Sequence, residues 1–342
     1  MTKIERPDLT QVSTEILRYI EQLESELTLY RKEPPLQTRP EIEEQALPPE
    51  PPSTMNLVTI SRQGMIKRTP RHLYPRQHRA GMGIFDLDIP EADAPSMIFT
   101  ADESQDLLLI TDWGRAYRFP LNSLVESPVR ARGQSLNEAI SIPSDEKPKV
   151  ILPACDEGYL AILSSKGYVR VLRHNYISDN MQPGTSVFDV GKYGPVAAGT
   201  WTSGGGDLFI VTRKGLGIRF REKLVQNTCG LGIRLEPGDE VVAISEVIED
   251  SGVFLVGSNG RGTIRLMSGF RANKAPGAGG KIAMKTDYLV GAMTVNLDQD
   301  IFIISQLSKI IRFPAVEIPP KSGVVEGVSC MSLRADKVSA AA

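Results

Sequence analysis

Residues 55–335 are predicted to fold as an all-β, six-bladed β-propeller, on three observations. One unit recurs six times, its spacing is nearly fixed, and it carries the residues of two strands joined by a tight turn. In chain order the unit reads LVTISRQGMIKRT, LLLITDWGRAYRF, YLAILSSKGYVRV, LFIVTRKGLGIRF, VFLVGSNGRGTIRL and IFIISQLSKIIRF. The turn falls at Gly64, Gly114, Gly167, Gly215, Gly260 and, without glycine, Ser308, at successive spacings of 50, 53, 48, 45 and 48 residues. A period near fifty marks stacked or radially arranged modules.

Within each unit, strands rich in Ile, Leu and Val flank a glycine placed where a left-handed backbone is needed. A glycine-containing loop and a further apolar strand follow, such as KVILPA or VVAISEVI. That makes about four strands per unit, the content of a propeller blade. One blade cannot bury both of its faces, so six are expected to close on one another and leave no long free edge.

Three further segments flank this body. Residues 8–32 are expected to be a helix. Ile16, Ile20, Leu23, Leu27 and Tyr30 are spaced 4, 3, 4 and 3, a coiled-coil seam, and Pro34 and Pro35 end it. The seam fits homodimerisation or docking on a partner helix; the alternative is a helix folded back on the body. Residues 33–54 hold seven prolines and five glutamates and are read as a solvated, semi-extended linker. Residues 336–342 are read as a disordered tail.

The totals exclude several classes. Cys155, Cys229 and Cys330 lie far apart without CxxC pairing, which argues against a disulfide framework or zinc site and suits a reducing cytoplasm. The N-terminus lacks the order of a signal peptide, and no apolar run is long enough to span a bilayer. The net charge is -2, but residues 1–55 hold eleven acidic and six basic residues, leaving 33 basic and 30 acidic in the remainder. Any binding to a polyanion therefore depends on clustering of the positive charge.

The sixfold xxxTxxGxxxRF pattern over about residues 56–335 resembles the C-terminal domain of the DNA gyrase A subunit and its topoisomerase IV counterpart. The resemblance implies a β-pinwheel, a propeller whose neighbouring blades exchange strands, and a non-catalytic role in binding, bending or wrapping double-stranded DNA with little sequence preference. In this family a box of the form Gln-Arg-Arg-Gly-Gly-Lys-Gly lies between strands of the first blade. Its counterpart here is Gln77, His78, Arg79, Ala80, Gly81, Met82 and Gly83. His78, Ala80 and Met82 depart from the pattern, and two of these changes remove or weaken a fixed positive charge. That implies weaker bending, closer to the topoisomerase IV tails. The same loop also reads as the structural closure of the first blade.

The recurring arginines Arg68, Arg118, Arg219, Arg265 and Arg312 are expected along an outer rim. Lys67, Arg76, Arg79, Arg130, Arg132, Arg170, Arg173, Arg221, Arg271, Lys274, Lys281 and Lys309 thicken the stripe. Such a curved row tracks phosphates without reading bases and releases counterions as it does so.

Other motifs carry less. Residues 275–282 imitate a phosphate loop, but Ala275 replaces its first glycine and Ile282 its magnesium-binding hydroxyl. His72, His78 and His174 lack metal-ligand spacing. No cofactor, metal site or catalytic residue is expected. Residues before 55 show no cleavage and rejoining region, and Tyr19 and Tyr30 lack the context of a nucleophile. The expected protein is thus a DNA-bending, nucleoid-associated accessory to a type II topoisomerase core. A protein-interaction propeller and a propeller enzyme with a central-channel site are its rivals.

Overall fold

The computed structural model describes residues 13–32, 48–225, 229–248 and 251–342, with side chains described up to Glu24 in the first of these stretches. Two compact units result, 1–46 and 47–342. In the first, a helix spans Thr14–Lys32. Ile16 and Leu23 are exposed and Ile20 is half-buried. The side chains of Leu27 and Tyr30, residues 8–12 and linker residues 33–47 lie outside the described residues.

In the second unit, six antiparallel four-stranded sheets confirm the six-bladed propeller. Their hairpins are Met55–Ser61 with Met65–Pro70, Asp106–Thr111 with Arg115–Pro120, and Tyr159–Ser164 with Tyr168–Arg173. Asp207–Thr212 with Leu216–Arg221, Gly252–Gly257 with Arg261–Leu266, and Asp300–Ser305 with Lys309–Pro314 complete the set. The glycine turns work as expected: Gly114 has φ +72°, and a Cβ there would lie 2.5 Å from the Phe188 carbonyl oxygen. In the sixth turn Ser308 itself takes φ 62°, and its hydroxyl accepts from the Leu87 amide.

Blades exchange strands. After each hairpin the chain visits the preceding blade for a two-residue outer strand, then returns to lay down the inner strand of its own sheet. The outer strands Gln134–Ser135, Thr185–Ser186, Gly230–Leu231, Lys281–Ile282 and Val328–Ser329 join blades 1 to 5 in this way. Ile84–Phe85, from the first segment, joins blade 6 and closes the ring.

The inner strands are Pro95–Asp102, Pro148–Pro153, Val196–Thr202, Val241–Val247, Leu289–Val295 and Val338–Ala341. The last corrects the expectation of a disordered tail, since Val338–Ala341 pairs with Asp300–Ser305 as the inner strand of blade 6. Its small residues suit a hub where inner strands crowd together. Between blades lie apolar clusters, such as Phe119 with Ile60 and Phe99, or Phe313 with Phe254 and Ile301. Burying side chains of this kind contributes roughly 1.5–3 kcal/mol each.

Candidate nucleic-acid interface

The hairpin strand after the turn alternates its side chains between the two neighbouring blades. In blades 2, 4 and 6 its fourth residue beyond the turn is an arginine, and the first residue of the preceding strand is an aspartate twelve positions earlier. Arg118 Nε donates to Asp106 at 2.9 Å, Arg219 Nε to Asp207 at 2.7 Å and Arg312 Nε to Asp300 at 2.8 Å. Each arginine then reaches the next blade. Arg118 faces the Ile177 carbonyl, Arg219 those of Met267 and Phe270, and Arg312 those of Arg71 and Tyr74. These arginines are clamps between blades rather than a solvent-facing row.

Several cations assigned to the rim by sequence are therefore corrected. Arg312 is 2% exposed, and Lys67 is fully buried against Asp86, whose carboxylate also accepts from Thr59 and Tyr74. Burial lowers the Lys67 pKa, and the charge and hydrogen bond of Asp86 only partly offset it. Arg68 is buried, with Glu126 3.8 Å away, and Arg76 is held by Asp300 at 3.0 Å. Arg118 also meets Asp179 at 2.6 Å and Asp156 at 3.5 Å. Arg170 is half-buried and donates to the Val187 carbonyl.

Arg265 differs in register. Gly252 pairs with Leu266 as Asp207 pairs with Arg221, so the counterpart of Arg219 in blade 5 is Ile264. Arg265 is the next residue and faces the opposite way, at the position of Phe119, Phe220 and Phe313. It is 4% exposed, and among the described residues its Nε and Nη1 have no hydrogen-bond partner.

The box also departs from expectation: its loop closes the ring onto blade 6 rather than completing blade 1. The Gln77 amide donates to the Arg312 carbonyl at 2.8 Å, Ala80 to Cys330 at 2.7 Å, and Gly81 accepts from Ser332 at 2.9 Å. Gly83 is required on two counts, a φ of +69° and an approach that would put a Cβ 2.5 Å from the Ile310 carbonyl oxygen. His78 Nδ1 lies 2.8 Å from Glu317, which also accepts from the Arg79 amide. The Arg79 guanidinium donates to the Ser329 carbonyl, and Met82 is exposed.

Most of the remaining rim cations lie on the excursions that carry the exchanged strands. Arg271, Lys274 and Lys281 are exposed on blade 4, Lys321 on blade 5, and Arg130 and Arg132 on blade 1. On blade 6, Arg79 and Lys309 are half-buried. Exposed Phe85 links the last two groups, with the Arg130 guanidinium 5.8 Å and the Lys309 ammonium 5.5 Å from its ring. Blades 4, 5, 6 and 1 thus carry a contiguous basic arc. It stops at blade 2, whose excursion from His174 to Val187 contains no lysine or arginine. Arg173 and Arg221 are exposed near the hairpin ends of blades 3 and 4, outside this arc. Sequence reading missed the clamps, although the aspartate-to-arginine spacing of twelve is visible in the repeats. It missed Phe85 because a two-residue strand carries no periodic signal, and Lys321 because it forms only an isolated bridge outside any strand.

The family model of the DNA gyrase C-terminal domain, β-propeller, matches residues 56–94, 105–147, 206–247 and 299–325. These segments fall in blades 1, 2, 4 and 6, the four with an arginine at the clamp position. Among curated relatives, the gyrase A subunit of Kosmotoga olearia is 28% identical over 296 residues, covering 82% of this chain and 36% of the relative. That of Staphylococcus epidermidis is 26% identical over 369 residues, covering 97% of this chain and 41% of the relative. The chain thus spans little more than a third of the length of such relatives. In fold, a solved DNA gyrase A C-terminal domain aligns with a TM-score of 0.73 at 20% identity, covering 84% of this chain and 98% of that one. The C-terminal domain of a DNA topoisomerase IV aligns at 0.55 and 18% identity, covering 85% and 93%. In its repeats, its matched segments and its fold, the propeller of this chain is similar to the DNA gyrase A C-terminal domain.

Proposed function

We propose that the propeller binds duplex DNA along the basic arc of blades 4, 5, 6 and 1 and bends it without reading its sequence. The observation that carries this reading is the arc itself: once the inter-blade clamps are set aside, the exposed cations still converge on consecutive exchanged strands. Phosphates lying along such a curve release counterions, and holding a duplex against it costs roughly a few kcal/mol of bending. A gap at blade 2 favours a partial bend over full encirclement, in keeping with the weakened box. On this reading the protein acts in the cytoplasm at the nucleoid, as an accessory to a type II topoisomerase, with a binding rather than a catalytic part.

A salt titration tests it. The full chain is expected to bind a duplex of about 150 base pairs tightly at low salt, with affinity falling steeply as salt rises. The Arg271→Gln/Lys274→Gln/Lys281→Gln variant is expected to lower the log–log salt slope by about 3, near 0.9 per phosphate contact. Absence of binding at low salt, or an unchanged slope, rejects the arc.

The helix is proposed as a tether, pairing with a second copy through Ile16, Ile20 and Leu23. Exposure of Ile16 and Leu23 supports this. Sedimentation of the Ile20→Gln/Leu23→Gln variant is expected to show a monomer at concentrations where the unaltered chain is a dimer; equal masses reject the seam.

A protein-docking reading is favoured by one region, blades 2 and 3. There Tyr176 is 67% exposed beside Asp179, with no basic excursion on blade 2. If DNA binding fails, that surface is where partners are to be sought.

A further inference from the structure

The hub of the propeller is a cavity of about 620 Å³ to which every inner strand contributes. Ala197, Ala198, Gly199, Ala243, Gly291 and Ala340 are among its walls, alongside larger side chains such as Met97 and Leu152. Because each inner strand is the last in its sheet, its unpaired backbone edge faces the hub. The wall therefore offers amide and carbonyl groups as well as small apolar surface.

The charge around this cavity is one-sided. Arg62, Lys147 and Lys149 line it at the end where the hairpin turns lie, and no aspartate or glutamate lines it. All three are exposed, and among the described residues none forms an ion pair. Three of the nearby carboxylates have other partners. Asp93 accepts from the Ser61 hydroxyl and the Gln63 amide, Glu146 from Thr111 and Arg115, and Asp112 from the Lys147 amide. The last contact fixes the Lys147 backbone, and the Arg62 amide is likewise fixed on the Ala94 carbonyl at 3.0 Å. Lys147 and Lys149 flank Pro148, the first residue of the inner strand of blade 2. Both line the cavity where the strand shifts register, Thr111 pairing with Pro148 and Ile110 with Val150.

We propose that this mouth of the central channel binds a small polyanion of the oligophosphate class, distinct from the duplex carried on the perimeter. Three cations without an ion-pair partner among the described residues, at the rim of a concave, low-dielectric cavity, focus their field on its opening. The volume lies in the range of small-molecule sites, and a duplex cannot enter it. Phosphate groups would sit among Arg62, Lys147 and Lys149, with the rest of the ligand directed into the hub.

Calorimetric titration of the full chain with inorganic tripolyphosphate, at low salt, tests the site. Saturable one-to-one binding is expected, weakened at least tenfold in Lys147→Gln/Lys149→Gln and unchanged in Arg271→Gln/Lys274→Gln. Both lysine heads are exposed, so unfolding is not expected, and an unchanged melting temperature verifies this. Duplex affinity of the lysine variant separates the two sources of phosphate: it is expected to stay within about twofold of the unaltered protein. Absence of saturable binding, insensitivity to the lysine changes, or an equal loss of duplex binding would each overturn the proposal.

Discussion

Two seams of the propeller, between blades 6 and 1 and between blades 4 and 5, use the same clamp in opposite surroundings. At the closing seam every buried charge is matched. Arg312 meets Asp300 and Glu50, Glu50 also holds Arg71, Asp300 also holds Arg76, and Lys67 is locked to Asp86. At the seam between blades 4 and 5, Arg219 has Asp207, but Arg265 on the facing blade has no acid partner among the described residues and stacks on Phe270, 5.8 Å away. Most seams join segments about fifty residues apart, whereas the closing seam joins segments more than two hundred apart. The longer loop costs roughly 1 kcal/mol more in closure entropy. The denser network lies where continuity of the chain helps least, and it recruits Glu50, from the end of the stretch read as a free linker.

Breaking the closing network should have the largest effect. Arg312→Met leaves Asp300 and Glu50 together in the seam, each with only a half-buried arginine, Arg76 and Arg71, at its edge. Removing one partner of a buried ion pair typically costs about 3–5 kcal/mol, because the other charge stays behind. Urea denaturation is expected to show a loss of that size, with Arg219→Met losing less because its surroundings hold a single carboxylate. Equal losses would mean the closing seam has no special standing.

A smaller effect isolates Glu50. Burial pushes its carboxyl up, but hydrogen bonds from Arg71 and Arg312, and then their charges, outweigh this and hold it below its ordinary value of 4.5. A carboxyl depressed on folding contributes stability above its unfolded value, and that contribution is lost as pH falls through the folded one. The unaltered protein should therefore lose stability below about pH 4.5 more steeply than Glu50→Gln. At pH 7 the variant should be weaker by about 1.5 kcal/mol, the scale of a hydrogen bond to a charged group. Parallel pH profiles would show that Glu50 does not fasten the ring.

The contrast between seams also shows what the sequence could reveal. Hairpins were legible because their turns need a left-handed residue, so Gly64 through Gly260 announce themselves at a fixed period. The clamp arginines were legible as a repeat but misread as surface, since an arginine among β-branched residues looks solvated until its aspartate twelve residues back is paired with it. Arg265 was grouped with them because counting from one glycine to the nearest arginine hides a one-residue shift, and on a strand one residue reverses the face. The exchanged strands and Val338–Ala341 are too short or too small in side chain to carry a pattern, and their pairing depends on a partner blade. That is why the basic arc, built on those excursions, emerged only with the fold, while Arg271, Lys274 and Lys281 were individually in view.

The smallest effect has the opposite sign and bears on the seam between blades 4 and 5 alone. Arg265 occupies a position filled by Phe119, Leu172, Phe220 and Phe313 in other blades, and burial pulls its pKa below the ordinary value for arginine. A buried charge without an acid is a net cost that an apolar side chain of similar volume removes. Arg265→Leu should therefore raise stability by about 1 kcal/mol, read as a higher urea midpoint with an unchanged slope. Loss of the Phe270 cation–π contact offsets part of this gain, which keeps the expected figure low. A lower midpoint would mean that Arg265 supports the seam. If duplex affinity fell as well, its role would be to brace the Arg271 excursion that follows it.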